Sequence, residues 1–175
     1  MPAVKRNVVA ACTAALCVLF AAIPANAYRG DKEGWSVRTD YPSPRALLTW
    51  VPLSDGPRVL ELDCVPGYLN LVSEDVEEGT EDTRAVLILT NGRSRVDIDG
   101  ETKRLMTSGE TYFQASVPLR AARERLIPVL EGPGPIGYEL IALPIHRDAP
   151  GQETIPVANL AQPLRVFKSV CFGIR

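Results

Sequence analysis

The sequence predicts a mainly β fold: an antiparallel β-sandwich or open barrel with a four-strand meander and one or two packed helices, one of them C-terminal. Three observations carry this. Short runs of alternating apolar and polar residues recur along the chain, separated by Gly, Pro, Asn and Asp. Only two segments show helical spacing. A single pair of cysteines remains once an N-terminal export signal is set aside.

The signal occupies residues 1–27. Lys5 and Arg6 form a positive start, an apolar run follows from Val8 to Ile23, and Pro24 ends it. Ala25-Asn26-Ala27 supplies small residues for a signal peptidase, so the mature chain is expected to begin at Tyr28. The apolar run, 16 residues, is shorter than the roughly 20 that a spanning helix needs. Val9-Ala10-Ala11-Cys12 resembles a lipobox, but cutting there leaves only Val8–Ala11 as the apolar region. Residues 28–175 form one β-rich domain, and the expected location is the periplasm or the exterior.

The strands are read in order. Trp35–Thr39 alternates weakly, and Ala46–Val51 is apolar with a tryptophan. Ser54-Asp55-Gly56-Pro57 turns the chain. Arg58–Cys64 alternates Val59, Glu61 and Asp63 against Leu60, Leu62 and Cys64, which places Cys64 on the core side. Pro66-Gly67 turns into Tyr68–Ser73. Between Arg84 and Val117 the spacing predicts four strands: Arg84–Thr90, Ser94–Ile98, Glu101–Met106 and Thr111–Val117. Asn91-Gly92 and Asp99-Gly100 read as two-residue hairpin turns, and Ser108-Gly109 as a looser one. Val96 and Ile98 face one side while Arg95 and Asp97 face water. Residues 85–89 are apolar on both faces, which predicts a central strand covered on both sides.

Pro118 can open a helix in which Leu119, Ala122, Leu126 and Leu130 share a stripe, and Pro128 should end or kink it. Gly132-Pro133-Gly134-Pro135 breaks the chain. Tyr138–Ile145 and Thr154–Val157 return as strands. The last segment reads as a helix capped by Asn159 with Gln162, carrying Leu164, Phe167, Val170 and Cys171 on its apolar face. Cys12 and Cys17 leave with the signal, so Cys64 and Cys171 are expected to pair and pin this helix to the sheet. Closing so long a loop stabilises by about 4–5 kcal/mol in the chain-entropy description.

Charge and motifs narrow the function. The signal carries two of the 19 Lys and Arg and none of the 21 Asp and Glu, leaving a mature net charge of −4. A mildly acidic chain without a basic run has no electrostatic footprint for nucleic acid. No phosphate-cradling loop, GxSxG elbow, HExxH or CxxC occurs, so no cofactor, metal or catalytic residue is assigned. The one histidine, His146, is read as a surface residue. Glu61 with Asp63, and Asp97 with Asp99, share strand faces and read as a solvated surface, although two acids meeting in a cleft would suit a glycosidase. Trp35, Trp50, Tyr68, Tyr112, Phe113 and Tyr138 fall in strands and are read as core or cross-strand pairs. The densest feature is acidic: Glu74, Asp75, Glu77, Glu78, Glu81 and Asp82. It reads as a solvated loop, and it is also the place where a basic exported protein partner would dock.

Two stretches resemble the invasion-associated locus B family of small exported bacterial proteins. One is Gly34-Trp35-Ser36-Val37-Arg38-Thr39-Asp40; the other is Thr154-Ile155-Pro156-Val157-Ala158-Asn159-Leu160 leading into a closing helix. The chain departs from that family in lacking a cysteine near Thr39 and the later closely spaced pair. The resemblance implies a periplasmic, β-rich, non-enzymatic protein and assigns no site residue. The expected function is an exported interaction or binding protein without catalysis. A carboxylate-dependent hydrolase and a binder of small apolar ligands are the alternatives.

Overall fold

The computed structural model describes residues 33–39, 45–52, 59–74, 82–105, 109–143 and 153–173. The expected signal (residues 1–27), the turn expected at residues 54–57, His146 and most of the acidic run lie outside these residues.

Nine strands form one antiparallel sheet: β1 (Gly34–Arg38), β2 (Ala46–Val51), β3 (Leu60–Val65), β4 (Tyr68–Ser73), β5 (Arg84–Asn91), β6 (Ser94–Arg104), β7 (Thr111–Pro118), β8 (Ile136–Leu143) and β9 (Glu153–Ile155). Their order is β1-β2-β3-β4-β7-β6-β5-β8-β9. The fold is therefore mainly β, as the alternation predicts, and takes the form of a curled half-barrel. Two contacts measure the curl. Ser73 Oγ on β4 and Tyr138 Oη on β8 are 2.6 Å apart although three strands stand between them in the sheet. Trp35 Nε1 on β1 donates to the carbonyl of Pro156, just beyond β9, at 2.6 Å, so the two edge strands of the sheet are tied together.

The inner face collects one phase of every strand. Leu48, Leu60, Leu62, Leu69, Leu71, Leu87, Leu89, Phe113 and Ile136 are fully buried there. Helices fill the bowl. The segment 119–130 is wound as α1 (Leu119–Ala121), a π-helical turn (Ala122–Leu126) and α2 (Ile127–Leu130). It presses Ala122, Leu126, Val129 and Leu130 into the core. The C-terminal helix α3 (Ala161–Phe172) lies against β1 and β2 and buries Leu164 and Phe167. On the inner face Cys64 of β3 meets Cys171 of α3 at a Cα separation of 5.8 Å, within disulfide range.

Four local expectations are corrected. Asp99-Gly100 is not a turn: β6 runs through it without a break, so the two middle segments of the expected meander are one 11-residue strand. Gly100 is needed there for a different reason, because a Cβ would overlap the Phe113 ring and the Gln114 carbonyl. The hairpin turn after β5 is centred on Gly92-Arg93, one residue later than Asn91-Gly92, since Asn91 still pairs with Ser94. Gly92 alone has positive φ, 59°, the sign pattern of a type II′ turn. Of the two expectations at Pro128, an ended or a kinked helix, the first does not hold. The preceding turn widens to a π-helix, in which Ile127 N–H reaches Ala122 O, and the helix continues to Leu130. Asn159 does not cap α3: it adopts φ 62° in the turn before the helix, Leu160 occupies the cap position, and no side chain bonds the helix start.

Candidate functional site

The outer face of the sheet carries the polar phase of the same strands. Register places Glu61, Val72, Gln114, Glu101 and Arg84 in one row across β3, β4, β7, β6 and β5. The next row holds Asp63, Asn70 and Ser116, and the one after it Val65, Tyr68 and Pro118. The ladder between β6 and β7 covers only Glu101–Arg104 against Thr111–Gln114, so the two strands part beyond Glu101. Where they part, a groove of about 730 Å³ opens, lined by Glu61, Asp63, Asn70, Arg84, Asp99 and Gln114 among others. That volume lies within the range of small-molecule sites.

Much of the groove's charge is cancelled locally. Asp63 receives a two-point hydrogen bond from the Arg45 guanidinium. Glu101 accepts from Gln114 Nε2 at 2.9 Å and lies 3.1 Å from Lys103 Nζ. The Gln114 hydrogen bond, followed by the Lys103 contact, holds the Glu101 carboxyl below its ordinary value. Glu101 in turn raises the Lys103 ammonium. Other polar groups keep unused capacity. Asn70 Oδ1 accepts from Ser116 Oγ at 2.9 Å, which leaves the Asn70 NH₂ donors. Gln114 spends its NH₂ on Glu101 and keeps its carbonyl oxygen. The side chains of Arg84 and Asp99 make no hydrogen bond or ion pair among the described residues.

Tyr68 stands at one end of this surface with 51% of its area exposed. This removes the core alternative for Tyr68: its phase is that of Asn70 and Val72, not of Leu69 and Leu71, and it stands in cross-strand register with Val65 and Pro118. Trp35 and Trp50 do pack on each other, with ring centroids 5.6 Å apart. At the opposite end lie Glu74 and Asp82, the two ends of the acidic run, with Asp82 Oδ1 3.6 Å from Lys103 Nζ. Asp75, Glu77, Glu78 and Glu81 lie outside the described residues. Asp97 is bound to Arg95 Nε at 2.8 Å, away from the groove. Cys64 and Cys171 face the core side.

Glu61, Asp63 and Asp99 were therefore legible as outward carboxylates, and the structure brings them to one groove. Asn70, Gln114, Ser116 and Arg84 were not singled out, and Tyr68 was read only as a core or cross-strand aromatic. The alternation within β4 and β7 marks the first three as outward, but the pairing of β4 with β7 has no local signal. Among the described residues, no group of three or more His, Cys, Asp or Glu side chains could hold a metal ion, and no helix is long and apolar enough to cross a membrane. No family model, curated protein or solved structure matches the chain.

Proposed function

We propose that this chain is an exported, non-catalytic binding protein whose ligand lies in the outer groove between β3 and β5. The observation that supports it is the state of the groove's polar groups. Unused donors on Asn70 and Arg84 lie beside unused acceptors on Gln114 and Asp99, on a rigid sheet. Such an arrangement favours hydrogen bonding to a ligand with little reorganisation. Export is supported by the signal-like residues 1–27 and by the close approach of Cys64 and Cys171. The resemblance to the invasion-associated locus B family implies the same class. Binding is favoured over hydrolysis because a carboxylate pair needs one member held protonated near neutral pH. Glu101 is pushed the other way and Asp63 is occupied by Arg45. The acidic run from Glu74 to Asp82 would steer a basic partner toward the same end of the sheet.

The test is a groove-filled variant. Ser116 is exposed on the outer face, so Ser116→Trp should occupy the groove without disturbing the core. The tagged exported protein and this variant are compared for what each retains from an envelope extract. A component retained by the native groove and lost on filling it supports the reading. Equal retention by both, or retention by neither, overturns it.

A further inference from the structure

The groove's net charge is the first guide to its ligand. Glu61, Asp63, Asp99 and Glu101 give it an acidic look, yet Arg45 answers Asp63, Lys103 answers Glu101, and Arg84 lies on the strand next to Asp99. Four carboxylates against these three cations leave about one net negative charge, and the surface alternates donors with acceptors. Such a surface has less to offer a cation than four bare carboxylates would. A hydroxyl both donates and accepts, so a run of neighbouring hydroxyls can use Asn70 NH₂, Gln114 Oε1, Asp99 and Arg84 together. Tyr68 is the second guide. Its ring is half exposed and open to a ligand, and its flat face suits the C–H side of a pyranose ring while its hydroxyl stays wet. It precedes Asn70 by two residues on the same strand face, so one elongated ligand can reach the ring and the amide row together.

We propose that the groove takes a neutral oligosaccharide, hydrogen-bonded by Asn70, Gln114, Asp99 and Arg84 along its length and extending past the groove lining to stack on Tyr68. This rests on the reading of the groove as a ligand site and names the class of ligand.

The experiment follows backbone amide resonances of the purified exported protein during titration. The probes are soluble β-1,4-linked glucose, β-1,4-linked N-acetylglucosamine and α-1,4-linked glucose oligomers, and separately a lysine-rich peptide. Expected are shifts confined to the Tyr68–Val72, Asp99–Glu101 and Gln114–Ser116 segments with at least one saccharide. Tyr68→Ala should weaken that binding roughly ten-fold, the loss of one aromatic contact, while Tyr68→Phe retains it. Melting temperatures of both variants confirm that the fold is kept. Groove shifts with the peptide and none with the saccharides would overturn the saccharide assignment and leave the groove reading standing. Saccharide shifts elsewhere, or insensitive to Tyr68→Ala, overturn it as well. No shift with any probe also overturns it, and the Ser116→Trp comparison then decides separately whether the groove binds anything.

Discussion

Asn91 shows how one side chain can serve a different purpose from the one its neighbours suggest. Beside Gly92 it reads as a turn residue, but it is buried at the end of β5. Its Nδ2 donates to Gly134 O at 2.7 Å, and its Oδ1 accepts from Gly134 N at 3.0 Å. Gly132 must be glycine because a Cβ would overlap this amide. The asparagine therefore holds the Gly132–Pro135 loop in place of a backbone ladder. Asn91→Ala should orphan both Gly134 groups and cost about 1–3 kcal/mol, read as a lowered denaturant midpoint; an unchanged midpoint would show that the clamp contributes nothing. Glu101 sets a second expectation. Its folded carboxyl titrates below the ordinary 4.5, held there by Gln114 and Lys103. The contribution is present above that value and is lost as pH falls through the lower folded value. Glu101→Gln should flatten this part of the acid side of the stability profile. Direct titration of the Glu101 carboxyl at or above 4.5 would contradict the assignment.

At the scale of elements, the clearest lesson is β6. Asp99-Gly100 carries a strong two-residue turn signal, yet the strand continues because Gly100 is needed to admit the Phe113 ring from β7. Glycine serves both needs, and only the cross-strand partner distinguishes them. The neighbouring turn was legible to within one residue, since the real centre, Gly92-Arg93, still contains the glycine. Gly92→Val places a β-branched residue at φ 59° and should cost about 1–2 kcal/mol, measurable as a fall in melting temperature. A neutral effect would mean that this turn is not the one formed. The helices behave similarly. Their apolar stripes were readable, whereas the π-helical turn that accommodates Pro128, and the uncapped start of α3, depend on where the core holds each turn.

At the scale of the molecule, closure matters most. The curled sheet is tied at its edges by Trp35 and Pro156, and Cys64 of β3 comes within disulfide range of Cys171 of α3, 107 residues away. Non-reducing peptide mapping of the exported protein should recover the linked pair, with the chain beginning at Tyr28. Two free thiols, or a chain retaining residues 8–23, would refute the exported, disulfide-stapled reading. Cys171→Ser should cost about 2–5 kcal/mol and loosen α3 before the sheet.

What the sequence determined by itself was local. Alternation of period two announced a β protein, named most of the strands and set which residues face inward, because a strand sends successive side chains to opposite sides whatever its partner. What the tertiary structure decided was adjacency. The order β4-β7-β6-β5 brings Asn70 beside Ser116 and Gln114 beside Glu101, and the parting of β6 from β7 opens the groove between them. Strand pairing at this distance along the chain depends on the packing of the whole core rather than on any local pattern. The groove was therefore visible beforehand only as scattered polar residues on separate strands.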